Sequence, residues 1–429
     1  MIKKKSNKII FITISTLFLL LVTLLIIKNI TTNHEIKTIN DKIETVNKND
    51  VFEIWAIDGG LSYVLDDVVE GYRSKYPDIN FIIKSFSERI YYKTILSAAA
   101  TNSLPDMFYT PGEAELKELV ELGIVEDITL TTEFRNIKEE MLDGALDGYT
   151  FEDRVYGMPV FAWDAIMYCN KEMFARARVE YPSNYEELVI AINEFKKHGI
   201  IPISIAGKDA WTQSMYYMAF ALEEGSVEEN KKIADDAKTF NSKQFEEAAK
   251  KLQNISNLDP WKQDYINISI AESVDGFIYK QCAMILSGSW LSTSIDANQY
   301  GIGSEDVEIV KFPAMLKEGI GGYSDGFALS KTDETDKLNE LIYIEMMREV
   351  SDYAVLKRGI GLPVYIDQNL EDTKFEVLKE CHRLFPEISH SAYDRILPSK
   401  RKEIYNTAIK ELVGGNIDSE EFIQSVNKE

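Results

Sequence analysis

Short apolar runs alternate with longer stretches of helical period along most of this chain, and that alternation predicts an α/β fold. Val51 to Ile57 is a nearly continuous apolar and aromatic run ending at Asp58-Gly59-Gly60, the pattern of a buried parallel strand with a tight exit. Leu65, Val68, Val69 and Tyr72 then fall on one face of a helix that must stop before Pro77, because the residue preceding a proline is pushed out of the helical region. Phe81 to Ile83 supplies a second strand and Ile90 to Thr101 a helix. Leu104 to Tyr109 reads as a turn and a third strand, and Glu113 to Leu122 as a helix closed by Gly123.

The alternation resumes beyond Gly157-Met158-Pro159. Ser183 and Glu186 have capping-box spacing, Leu188, Ala191, Ile192 and Phe195 line one helical face, Gly199 ends the helix, and Ile200 to Ile205 is a strand. Cys282 to Leu286 and Val307 to Phe312 are further strands, and Lys337 to Arg348 and Lys402 to Val413 further helices. At 429 residues the chain exceeds what one hydrophobic core organises, so two α/β lobes are expected, with ligands bound beyond the carboxyl ends of the parallel strands.

The first 28 residues break this pattern. Ile9 to Ile27 is an unbroken run of apolar residues with Thr and Ser, preceded by Lys3, Lys4, Lys5 and Lys8. Its length suits a bilayer span, and the lysines place the N-terminus in the cytoplasm and everything after Lys28 outside. No A-x-A-like site follows, which favours a retained anchor over a cleaved signal, and no cysteine precedes Cys169 to carry a lipid. Residues 29–50 are polar and read as a stalk.

Hydrophobic residues make up 45% of the chain and aromatic residues 11%, the balance of a folded protein. The formal charge is -23, and the basic N-terminus hides part of the acidity of the remainder. A polyanion would be repelled, so nucleic acid is excluded as a partner. Cys169, Cys282 and Cys381 are too few and scattered for a disulfide framework and read as buried apolar residues. With His34, His198, His382 and His390 they give no metal-ligand spacing, and no nucleophile motif or phosphate loop occurs, so neither a metal nor a cofactor is expected.

Several stretches in order resemble one family. Tyr92 to Ala100 followed by Leu104-Pro105-Asp106-Met107-Phe108, then Val155 to Val160, then Met167 to Phe174, are similar to the first lobe and the crossing to the second in the maltose-binding-protein-like group of extracellular solute-binding proteins (family 1), which deliver sugars to ABC importers. Ala283 to Trp290 resembles the second-lobe strand with its Gly-x-Trp tip. Phe312-Pro313, Gly321-Gly322 and Gly326 to Lys331 resemble the return crossing, and Gly359 to Pro363 and Gly414 to Glu421 match in kind and order. The resemblance spans about 370 residues. It implies a two-lobed, periplasmic-binding-protein-like (type II) fold with a hinge and an interlobe cleft, here preceded by the transmembrane helix. The lobes would comprise 51–158 with 325–362 and 159–324 with 363–429. Two departures stand out: the acylated cysteine of many members is missing, and Cys169 stands where a tyrosine or similar residue is usual.

Carbohydrates offer apolar C–H faces and many hydroxyls, so their sites combine flat aromatic rings with carboxylate or amide acceptors. Trp290, at the end of a strand, is the first choice, and Trp163 with Asp164 follows the crossing at Pro159; for each ring the alternative is packing in the core. Trp55 and Asp58 end the first strand and either touch ligand or pack the strand; Trp211 is placed similarly. Glu88, Tyr109 and Glu113 lie beyond strand ends or at helix starts, although Glu113 equally suits its own helix N-terminus. Tyr323 and Asp325 flank the return crossing and either reach ligand from the hinge or form a glycine-rich turn, and Arg358 either joins the site or is a surface charge. The implied function is non-enzymatic capture of a sugar or oligosaccharide on the extracytoplasmic side of the cell membrane, with delivery to an ABC permease. A sensor for a membrane signalling partner and a surface glycoside hydrolase are the alternatives.

Overall fold

The computed structural model describes residues 50–428 apart from 226, 235–236, 298–300, 316–317, 332–336 and 387–388. The predicted anchor at 1–28 and all but the last residue of the predicted stalk lie outside the described residues. Among the described residues no helix is long and apolar enough to cross a membrane.

Two lobes share one mixed sheet. Strands β1 (Asp50–Ile57), β2 (Ile79–Phe86) and β3 (Met107–Thr110) are parallel, in the order β2-β1-β3, and a small hairpin of β4 (Thr150–Phe151) and β5 (Arg154–Val155) stands apart. Strand β6 (Met158–Asn170) crosses to the second lobe, where it pairs with β8 (Cys282–Gly288) and β9 (Val307–Val310). There β7 (Ile201–Ser204) runs parallel to β8. The return crossing is β10 (Gly319–Leu329), antiparallel to both β3 and β6, with β11 (Ser389–His390) beside its first residues.

The hinge is legible in this pairing. Gly322 faces Trp163 and Gly326 faces Pro159, and between them the register of β10 on β6 slips at Asp325. Such a bulge bends a strand and re-aims its side chains. A Cβ on Gly326 would lie 2.0 Å from the Met158 carbonyl oxygen, so only glycine lets the two crossing strands approach this closely.

Every residue of β6 is buried, and its period of two feeds two cores. Ile166 and Tyr168 join a core that holds Phe52, Val69 and Phe327 in the first lobe and continues under one face of the second sheet at Phe277, Ile285 and Cys381. Trp163, Ala165, Met167 and Cys169 join the other, with Phe195, Phe245, Tyr405 and Phe422. All three cysteines are buried and unpaired.

The helices begin and end close to where periodicity places them: Gly60–Lys75, Glu88–Ala100, Glu113–Glu121, Tyr185–Lys197, Lys337–Asp352 and Ser399–Val413. One cap is shifted: Asn184, not Ser183, accepts from the Glu187 amide at 2.9 Å, while Glu187 reaches back to the Ser183 amide at 2.8 Å. Helix Ala210–Glu224 left no helical signal because twelve of its fifteen residues are buried, so it has almost no polar face to set a period. Residues 363–372, grouped with the second lobe in the sequence reading, hydrogen-bond to the first: Leu142 N donates to Val364 O at 2.8 Å and Ile366 N to Glu140 O at 2.9 Å.

Candidate functional site

The carboxyl ends of β1, β3 and β8 converge where the lobes meet, and a cavity of about 190 Å³ lies there. Ile57 and Tyr109 reach it from the first lobe, with Glu88 from the start of helix Glu88–Ala100. Phe161, Trp163 and Asp325 come from the crossing strands, Trp211, Met215 and Trp290 from the second lobe, and Ala392, Asp394 and Arg395 from the C-terminal stretch.

One side of the cavity is aromatic. The Trp290 ring lies 5.2 Å from Trp163 at 55° and 5.7 Å from Trp211 at 69°. These tilted and edge-on contacts lie in the favourable range for aromatic pairs. Trp163 is pinned by its indole N–H, which donates to Ser324 Oγ at 2.6 Å. Trp290 rests on Gly288, where a Cβ would come within 2.0 Å of its ring.

The facing side is charged. The Tyr109 hydroxyl donates to Asp325, and the Arg395 guanidinium stands 3.9 Å from both Asp325 and Asp394. Burial works against the Arg395 charge, but Tyr109, Asp325, Asp394 and Glu88 together outweigh it and hold the guanidinium protonated. Burial also raises the Tyr109 hydroxyl well above its ordinary value, so it remains a donor. Glu88 is open to the cleft yet crowded by protein, and this desolvation raises its carboxyl against the pull of Arg395.

Six of the residues singled out in the sequence thus meet in one cavity: Glu88, Tyr109, Trp163, Trp211, Trp290 and Asp325. Glu113 and Tyr323 line a neighbouring cavity of about 330 Å³ instead. Trp55 packs at 5.0 Å against Phe86, its N–H bound to Glu53, and Asp58 is exposed just past β1. Arg358 forms a surface ion pair with Asp67. Phe161, Met215, Asp394 and Arg395 were not found from the sequence. Arg395 had one local signal, a charged Asp394-Arg395 pair inside the otherwise apolar stretch Ala392 to Leu397.

Asp164 follows Trp163 in β6, so the pleat turns it away from the cavity. Its Oδ1 is buried with no hydrogen-bond partner among the described residues, and burial pushes the carboxyl well above 3.8, opposed by Lys311. A carboxyl raised on folding contributes its full stability below its ordinary pKa and loses it as pH rises through the folded value. Asp164→Asn is therefore expected to melt above the parent at pH 8 and to lose that advantage near pH 4. Calorimetric melting of both proteins at the two pH values checks this.

Two lobes joined by crossing strands, with rings and charges gathered at the junction, define a protein that encloses a solute. Residues 68–346 match the family model of the bacterial extracellular solute-binding protein, and the chain belongs to that family. It is accordingly a binding protein and not an enzyme. The chain is similar to the putative ABC transporter periplasmic-binding protein YcjN of Escherichia coli (strain K12), 21% identical over 316 residues that make up 70% of this chain and 69% of that one. A solved structure from work on xylan utilization by the thermophilic bacterium Caldanaerobius polysaccharolyticus superposes with a TM-score of 0.81 at 22% identity, covering 88% of this chain and 99% of that chain. A chitin oligosaccharide binding protein superposes with a TM-score of 0.79 at 18% identity, covering 88% and 97%. The two structures establish the two-lobed type II fold.

Proposed function

We propose that this protein captures a carbohydrate, an oligosaccharide in the leading reading, on the extracytoplasmic side of the membrane by closing its lobes, and delivers it to an ABC importer. The carrying observation is the pairing of three indoles, Trp163, Trp211 and Trp290, with the Tyr109–Asp325–Arg395–Asp394 network across one cavity. Indole faces match the C–H faces of a pyranose, and the carboxylates and guanidinium match its hydroxyls. The similar proteins, one from work on xylan utilization, one that binds chitin oligosaccharide and one a putative ABC transporter component, agree with this reading.

The ligand touches groups from both lobes and from the crossing strands, so it binds the closed form better than the open one and shifts the balance by that difference. At about 190 Å³ the aromatic cavity is smaller than the roughly 300–1,000 Å³ of most ligand pockets, which suits one ring of a longer chain. The lobe division 51–158 with 325–362 and 159–324 with 363–429 belongs to this proposal, with 363–372 moved to the first lobe on the hydrogen bonds above. The run Ile9 to Ile27 is proposed to anchor the receptor beside its permease.

A thermal-shift screen of mono- and oligosaccharides tests the reading. A ligand at one hundred times its Kd stabilises the native state by about 2.7 kcal/mol, so a true ligand raises the melting temperature in proportion to the logarithm of its concentration. If no neutral sugar moves the transition while an amino acid or peptide does, the carbohydrate assignment fails.

A further inference from the structure

Residues 391–395 form a partition. Ala392, Asp394 and Arg395 face the aromatic cavity, whereas Ser391 and Tyr393 face a second one of about 630 Å³ on the other side, beside helix Glu113–Glu121. That helix holds the C-terminal stretch with three carboxylates. Glu113 accepts from the Ser391 hydroxyl, Glu115 pairs with Lys402 at 2.8 Å, and Glu118 accepts from the Ser399 amide at 2.8 Å and its hydroxyl at 2.6 Å. Leu116 and Leu119 of the helix belong to the first core, while Ala392, Tyr393, Leu397 and Tyr405 belong to the second.

Glu113 is the unusual member. It follows Gly112 with φ of +53°, a left-handed conformation that a glutamate adopts only against steric cost. Its Oε2 is buried with no hydrogen-bond partner among the described residues. Backbone strain of this kind persists at active sites, ligand clamps and switch regions.

We propose that helix Glu113–Glu121 and residues 391–402 form a proton-gated clasp between the lobes, which draws them together before any ligand arrives and so regulates the aromatic cavity. The regulatory half rests on the carbohydrate-binding reading; the clasp itself does not. Charged and titratable groups surround Glu113 on each side: Lys117 on its own helix, Asp143 and Asp147 from the segment before β4, His390 paired with Glu318 at 2.6 Å, and Asp394 and Arg395. Burial pushes the Glu113 carboxyl from 4.5 up to about 7, opposed by the Ser391 hydrogen bond and Arg395 and aided by Asp394. Opening returns it to water. Closure then takes up a proton, with the benefit complete below the ordinary value and lost as pH rises through about 7. Between pH 5.5 and pH 8 the closed-to-open ratio is expected to fall by at most about thirty-fold.

The test uses the full-length protein without sugar, spin-labelled at Tyr63→Cys and Ile190→Cys. Both positions are exposed, one on each lobe, and the native cysteines are buried and escape labelling. Pulsed electron paramagnetic resonance is expected to show the short interlobe distance gaining population as pH falls from 8 to 5.5. Glu113→Gln should hold the short distance at both pH values, and Lys402→Ala should lower its population at both while keeping the pH response. An unchanged pH response in Glu113→Gln, or one long distance at every pH, overturns the clasp. A clasp that responds in a protein that binds no sugar removes the carbohydrate reading alone.

Discussion

Trp290→Ala is expected to weaken carbohydrate binding by about 100-fold or more, while the protein still unfolds cooperatively within a few degrees of its parent. Truncating a central aromatic anchor typically costs about 2–4 kcal/mol, and each 1.4 kcal/mol is tenfold in Kd. The site amplifies the loss, because Trp290 touches both Trp163 and Trp211, so removing it deletes one ring and unseats two others. The fold should survive, since Trp290 is only partly buried and stands at the tip of β8 beyond the hydrogen-bonded ladder. A milder change tests the same geometry. Gly288→Ala puts a methyl group within 2.0 Å of the Trp290 ring and must tilt it, with an expected loss of about tenfold. Isothermal titration with the best sugar from the thermal screen measures both; full affinity in Trp290→Ala would end the site assignment.

Arg395→Leu should be strongly destabilising. The guanidinium stands 3.9 Å from both Asp325 and Asp394 and also holds Glu88 and Tyr109 in its field. Its side chain is 19% exposed and those of Asp325 and Asp394 14% and 12%, so water screens the group poorly. Removing one partner of a buried ionic group costs about 3–5 kcal/mol, mostly because the remaining charges are left uncompensated. The deficit should shrink as pH falls and Glu88, whose carboxyl burial raises against the pull of Arg395, takes up a proton in place of the missing cation. Adding Asp325→Asn should recover part of the loss at neutral pH by removing one orphaned charge. Urea unfolding at pH 4.5 and 7.5 measures this, and a variant as stable as its parent at pH 7.5 would show that Arg395 balances nothing.

Much of the fold was legible because its elements carry strong local patterns. β1 and β8 are apolar almost throughout, as expected of strands covered on both faces, and Gly123 and Gly199 end their helices with positive φ. Trp290 was legible for a related reason: a tryptophan placed after Gly288 at a strand's end is presented where strands of this type bind ligand. Trp55 shows the limit of that argument. It also lies near a strand's carboxyl end, but its ring packs on Phe86, and Ile57 takes the place at the cavity. Asp164 shows the same limit, because neighbouring strand residues point to opposite faces.

By itself the sequence determined where many of the strands and helices lie, that two lobes form, and which aromatic residues stand near strand ends. These properties depend on periodicity and composition over a few residues or over the whole chain. Only the tertiary structure decided that Arg395 meets Asp325 from 70 residues away, that Asp394 joins them, and that Glu113 is buried against Ser391. Such pairings belong to no local pattern. They arise when β10 crosses back through the hinge and the C-terminal stretch packs across the lobe junction, bringing distant charges into a space too dry to leave them apart.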